Sequence, residues 1–249
     1  MDMRKKQREF GNNYKTLIYQ VYGEKAKIIE DISIVFTDKY SYESIKEYRP
    51  NLNINCIEKL KQYDITLIKN HSEKKNNSCL KGILSLLGIY LPREQQIILF
   101  SKAIFYASNV LNIDSKILTQ VAIVHELSHF LSHKYPINEK VWEGYVNSFK
   151  DNIKMHEFIA QLSTCVILKP NDTLFNAFVK LSKNQAEEYQ ITYRYSTLCC
   201  IEFNPNLYAY VINVFRNGLS WKNKENDEII AELISFADKK TVVNNFKKT

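Results

Sequence analysis

The chain has 249 residues, of which 45% are hydrophobic, 12% aromatic and 24% charged. It can build a core without disulfide or metal staples, and its six glycines and five prolines exclude collagen-like and low-complexity classes. The net charge of +7 sits mostly at the ends: Arg4, Lys5, Lys6 and Arg8 outweigh Asp2 and Glu9 by two, and Lys239, Lys240, Lys247 and Lys248 outweigh Asp238 by three. With no helix-turn-helix spacing and no Cys/His finger, these tails read as solubilising, and a nucleic-acid partner is not expected. Cys56, Cys79, Cys165, Cys199 and Cys200 contain no CxxC pair and suit a reducing compartment. The start MDMRKKQREFGNN lacks the apolar stretch of a secretory signal, and no apolar run approaches 18 residues, so the expectation is a cytoplasmic protein without membrane spans.

In chain order, Phe10, Tyr14, Leu17, Ile18 and Val21 mark one face of a helix within residues 1–22. Strand-like runs follow at Ile32–Phe36 and Ile65–Ile68, with a helix-like stretch at Ile57–Tyr63 between them. The polar run HSEKKNNS, His71–Ser78, is the best boundary between an N-terminal α/β extension (1–75) and the remainder of the chain. Leu80–Leu91 reads as a strand, Pro92–Gln96 as a turn and Ile97–Phe100 as a second strand, together an antiparallel hairpin. Ile104, Phe105, Ala107, Ser108 and Leu111 then form a helix face. Asp114 or Ser115 caps the next helix, whose apolar face is Leu118, Val121, Val124 and Leu127 and which ends by Pro136. Further helices are predicted at 151–168, 171–183, 205–217 and 225–237, which makes the C-terminal half helix-rich. Residues 76–200 form the core unit, and 201–249 a helical segment packed on it with a basic tail.

His125-Glu126-Leu127-Ser128-His129 is an HExxH sequence in the middle of one of these helices. Positions i and i+4 differ by about 40° in direction, so both imidazoles leave one face and can hold one Zn²⁺. Glu126 points about 100° away from His125, beside the ion without being a ligand, where it can take a proton from water and pass it to a leaving amine. The apolar neighbours Val121–Val124, Phe130 and Leu131 bury this helix, and buried histidines and a glutamate need partners.

Catalytic zinc needs a third protein ligand. His133 lies one turn beyond His129, about 6 Å further along the axis, and reads better as a helix-end histidine. The pattern HExxHxxGxxH is absent, since Ser132 and Tyr135 stand where it needs other residues. Glu157, on a second helix with Phe158, Ile159, Leu162, Cys165 and Val166, is the better candidate; Glu139, Glu143, Asp151 and His156 are rivals. Ala160 is small enough for close approach to the first helix, and Gln161, at i+4 from Glu157, can orient a ligand imidazole. His156, Tyr145, Tyr189, Tyr193 and Arg194 are candidates to stabilise an oxyanion, although with sixteen tyrosines in the chain any one of them is more simply packing.

The segments IVHELSHFLSH and HEFIAQLSTCVILKP resemble the ImmA/IrrE-type zincin-like metallopeptidases. That family follows its HExxH helix with a helix of the form E-x-x-A-N-x-x-A, an apolar run and a proline. Glu157, Ala160 and Pro170 fall on matching positions, while Gln161 replaces Asn and Thr164 replaces Ala. The resemblance covers roughly residues 80–170. It implies an α+β, zincin-like fold: a small mixed sheet whose edge strand, Leu80–Leu91 or Ile97–Phe100, lies beside the HExxH helix and takes extended substrate. It also implies a zinc metallopeptidase acting on a protein or peptide target, with His125, His129 and Glu157 as ligands and Glu126 as the general base. The alternative is a metal-stabilised binding or regulatory module without turnover, which has no use for an acid at position 126.

Overall fold

The computed structural model describes residues 13–37, 78–134, 153–186 and 189. They form a mixed α+β structure, mostly helical, with one three-stranded sheet. Helix α1 (Asn13–Tyr22) leads through a 3₁₀ segment (Gly23–Asp31) into β1 (Ser33–Thr37). Helix α2 (Ser78–Leu84), the hairpin strands β2 (Gly88–Leu91) and β3 (Gln96–Phe100), and helices α3 (Ser101–Leu111), α4 (Ser115–Lys134), α5 (Ile153–Leu168) and α6 (Asp172–Ser182) follow. No helix among the described residues is long and apolar enough to cross a membrane. The predicted elements at 57–68, 205–217 and 225–237 and both basic tails lie outside the described residues.

The hairpin forms where the sequence places it. Pro92 sets the first turn position, Gln95 takes the left-handed backbone region (φ 48°), and β2 pairs antiparallel with β3, Gly88 opposite Leu99 and Tyr90 opposite Ile97. The strand expected over Leu80–Leu91 is shorter, because its first part is α2. Ile83, Leu84, Leu86 and Leu87 are all buried, and an apolar run buried on every side carries no period that separates strand from helix. Ser85 and Gly88 mark the change: Ser85 Oγ donates to the Lys81 carbonyl at 2.7 Å as α2 ends, and β2 starts at Gly88. Phe105 also departs from expectation. It is 49% exposed while Ile104, Ala107, Ser108 and Leu111 are buried, since the residue after Ile104 is rotated by about 100° out of that stripe.

Strand order is β1-β3-β2. Ile97–Phe100 is therefore central, which corrects its reading as a possible edge: β1 pairs parallel with it on one side (Ile34 opposite Ile97) and β2 antiparallel on the other. A parallel pair needs a long crossover, and hydropathy within β1 and β3 says nothing about which distant strand each will meet. Residues 13–37, read as part of an extension, thus complete the sheet. Leu17, Ile18, Tyr22 and Ile29 join the same buried cluster as Leu99, Leu127 and Leu168.

Helix α4 crosses this core and carries both motif histidines. Of the two proposed caps, Asp114 is the one used: its Oδ1 accepts from the amides of Lys116 (2.8 Å) and Ile117 (3.2 Å). Capping of this kind is worth about 1 kcal/mol. Asp114→Ala is expected to lower the thermal midpoint by roughly 2–4 °C, measured by circular dichroism, with Asp114→Asn retaining most of the stability.

Candidate metal centre

Leu118, Val121, Ala122, Val124, Leu127, Phe130 and Leu131 are all buried. These positions surround the α4 axis rather than forming a stripe, as in a helix enclosed by protein. His125 and His129, at i and i+4, share the face turned to α5. Their ring centroids are 4.9 Å apart and their planes are at 85°. Both side chains are largely enclosed, 13% and 3% exposed, and the Glu157 side chain is 0% exposed.

Glu157 approaches from the second turn of α5. His125 Nε2 lies 3.2 Å from Glu157 Oε2, and His129 Nε2 lies 3.6 Å from Glu157 Oε1. One donor atom from each of the three residues can be chosen so that all lie within 4.8 Å of one another. Donors sharing one tetrahedral ion at about 2.0–2.1 Å would be about 3.4 Å apart, close to both measured separations. The three residues therefore form a group that can hold a metal ion. A dehydrated carboxylate costs several kcal/mol unless positive charge or strong hydrogen bonds compensate it. A divalent cation supplies that charge without requiring either imidazole to be protonated. The second ring nitrogen of His125, Nδ1, is buried with no hydrogen-bond partner among the described residues. Ligand histidines usually tie this atom to an acceptor.

Small residues and satisfied hydroxyls bring the two helices together. Ala160, Ser163 and Thr164 on α5 and Ser128 on α4 have no exposure. Ser128 Oγ donates to the Val124 carbonyl and Thr164 Oγ1 to the Ala160 carbonyl, each at 2.7 Å. Both hydroxyls thus pair within their own helices while facing each other at 3.4 Å. A buried bond of 2.9 Å between the Tyr22 hydroxyl and Ser163 Oγ ties α5 to α1.

The other predicted residues divide by position. Glu126 is buried, 4% exposed, and lies against β2 at Gly88. His156 is fully buried on the first turn of α5, outside the three-residue donor group. Gln161 is buried, but among the described residues its amide partners are Ser182 Oγ and Gln185 Oε1, each at 3.4 Å, and neither is a ligand ring. Although only about 40° round α5 from Glu157, the side chain meets Ser182 at the end of α6 and Gln185 just beyond it. Tyr189 is buried with its ring centroid 6.0 Å from that of His125. His133 is on the last turn of α4, and its side chain is outside the described part. Glu139, Glu143, Tyr145, Asp151, Tyr193 and Arg194 also lie outside it.

Sequence reasoning missed the clasp that brings Tyr189 to this place. After α6, Gln185 Nε2 donates to the Leu84 carbonyl and the Ala186 amide donates to Ser85 Oγ, both at 2.9 Å. The end of α2 thereby anchors the segment leading to Tyr189. Ser85 gave a local signal as the one polar residue between Gly82 and Gly88, but its partner is 101 positions away. Gly88 was also missed.

If the three residues act as a ligand set, the purified protein will take up one equivalent of divalent metal, and His125→Ala and Glu157→Ala will both lose stoichiometric binding. Saturating metal at about 100 times its dissociation constant should stabilise the wild type by about 2.7 kcal/mol and leave both variants unmoved. Elemental analysis with thermal unfolding reads both effects. No protein-family model, no curated protein and no solved structure matches this chain.

Proposed function

We propose that this chain is a zinc-dependent metallopeptidase of the zincin type that hydrolyses peptide bonds in a protein or peptide target. The carrying observation is the buried Glu157 carboxylate between the His125 and His129 Nε2 atoms, with a second buried glutamate, Glu126, next to the first histidine on the same helix. The likeness of the HExxH and Glu157 segments to the ImmA/IrrE-type peptidases points the same way.

In this reading His125, His129 and Glu157 hold Zn²⁺. The bound ion supplies Lewis acidity for a carbonyl oxygen and lowers the pKa of a water molecule toward about 7. The chain's own residues do the rest. Glu126, turned about 100° from His125 along the helix, stays out of the ligand set and carries the proton from water to the leaving nitrogen. Its low exposure places that transfer away from bulk solvent. Tyr189, enclosed beside His125, limits access on that side. Strand β2 pairs with a strand on one side only among the described residues, and all four of its residues are buried.

The test uses zinc-loaded wild type and Glu126→Gln on a mixed peptide library analysed by mass spectrometry. Both proteins should retain one zinc. Cleavage should fall by about 10²–10⁴-fold in Glu126→Gln, the usual contribution of a general acid–base, and chelation should abolish it in the wild type. Equal cleavage by the two proteins removes Glu126 from the chemistry. A cellular phenotype that persists unchanged in a zinc-retaining Glu126→Gln strain would favour the non-catalytic metal module instead. Iron in place of zinc in the purified protein would overturn the choice of metal.

A further inference from the structure

Glycine at position 88 has no backbone reason to be there. Gly23 is the only described glycine with positive φ, so the conformation of Gly88 is open to any L-residue. The reason is space. A Cβ built on Gly88 would lie 2.9 Å from Glu126 Cγ, 3.1 Å from Glu126 Oε1 and 2.8 Å from Leu99 Cδ2. The Glu126 side chain, with Leu99 Cδ2 on the neighbouring strand, therefore occupies the volume that any other residue at 88 would fill.

The match between strand and helix explains why these two residues meet. Gly88 and Tyr90 are two apart on β2 and share a sheet face, about 6.6 Å from one to the next. Glu126 and Phe130 are four apart on α4 and share a helix face, about 6 Å from one to the next. Tyr90 packs edge-on against Phe130, with ring centroids 5.8 Å apart. With that aromatic pair in register, the next pair along the strand is Gly88 and Glu126. Tyr90–Phe130 fills its part of the interface with two rings, whereas Gly88 contributes no side chain and leaves its part to the carboxylate arm.

We propose that Gly88 is a positioning residue: its bare Cα forms the slot in β2 that receives the Glu126 side chain and holds the carboxylate beside the three-residue donor group instead of within it. This rests on the reading of Glu126 as the proton carrier. A methyl at 88 meets Cγ, in the middle of the arm, so swinging the carboxylate end alone cannot relieve the contact; the whole side chain must shift. The three atoms nearest that methyl belong to Leu99 and Glu126, not to His125, His129 or Glu157.

The experiment compares full-length wild type, Gly88→Ala, Glu126→Gln and Gly88→Ala with Glu126→Gln, together with Leu99→Val alone and combined with Gly88→Ala. The Leu99 change removes the other close contact, so the pair with Gly88→Ala also serves if the single variant folds poorly. Gly88→Ala should retain one zinc per chain, with affinity by chelator competition within about threefold of wild type. Its kcat on a peptide cleaved by the wild type should fall about 100-fold, the usual effect of a misplacement near 1 Å, with KM unchanged. Leu99→Val should not restore that rate, and Gly88→Ala should cost nothing further in the Glu126→Gln background. Wild-type kcat in Gly88→Ala, or recovery on adding Leu99→Val, would overturn the proposal, the latter by assigning the loss to strand packing.

A thermal cycle on the metal-free protein separates this inference from the peptidase reading. With Leu99→Val present throughout to remove the other close contact, Gly88→Ala should lower the unfolding midpoint when Glu126 is present and lower it much less with Glu126→Ala. If wild type cleaves nothing, the peptidase reading fails and the thermal cycle decides the packing claim alone. An equal loss in both backgrounds would overturn it.

Discussion

A carboxylate with no exposure to solvent, set between two imidazoles of the neighbouring helix, is the arrangement that governs this part of the molecule. Taking a Glu157 carboxylate out of water is costly unless positive charge or strong hydrogen bonds compensate it. Two donor contacts of 3.2 and 3.6 Å require α4 and α5 to sit at one separation and one rotation. The helix interface reflects that demand. Ala160, Thr164 and Ser128 keep it thin, and the Ser128 and Thr164 hydroxyls are satisfied on their own helices. Larger residues there would separate the carboxylate from the rings.

Helix α4 meets the opposite requirement on another face. Because successive residues turn by about 100°, His125 can face α5 while Glu126 faces the sheet. The sheet then becomes part of the site. Tyr90 against Phe130 sets the helix along the strand, and Gly88 receives Glu126. Strand β3, which carries β2, is itself held by β1 from the first forty residues. The distant N-terminal segment thus supports the position of a glutamate on a helix it does not carry, and through Tyr22 and Ser163 it also braces α5.

The clasp after α6 adds a third support. Gln185 and Ala186 bind the end of α2, and the short segment beyond them brings Tyr189 beside His125. Gln161 belongs to this support through Gln185 and Ser182. Its polar contacts are long, so they fill and orient more than they bind. The cluster is built from residues on α2, α5, α6 and the segment after α6, which explains why no single stretch of sequence announces it.

Features that depend on neighbours along the chain were legible in the sequence: the i, i+4 pairing of His125 and His129, a cap at Asp114 or Ser115, a turn from Pro92 that ends one residue sooner than the predicted Gln96, the helical period around Glu157, and the boundaries of α5 and α6 to within a residue or two. Each follows from backbone geometry over a few positions. Features that depend on what lies opposite were not legible. The run from Leu80 became a helix before it became a strand, its buried residues Ile83, Leu84, Leu86 and Leu87 carrying no period that separates the two. The parallel pairing of β1 with β3, the turn of Gln161 toward α6 and the slot at Gly88 are contacts between distant segments. The sequence alone determined which side chains could reach a common ion from one helix, since helical pitch settles that locally. Only the tertiary structure decided that Glu157 closes the group and that Gly88 makes room for Glu126, since close packing between elements depends on shapes that no local pattern encodes.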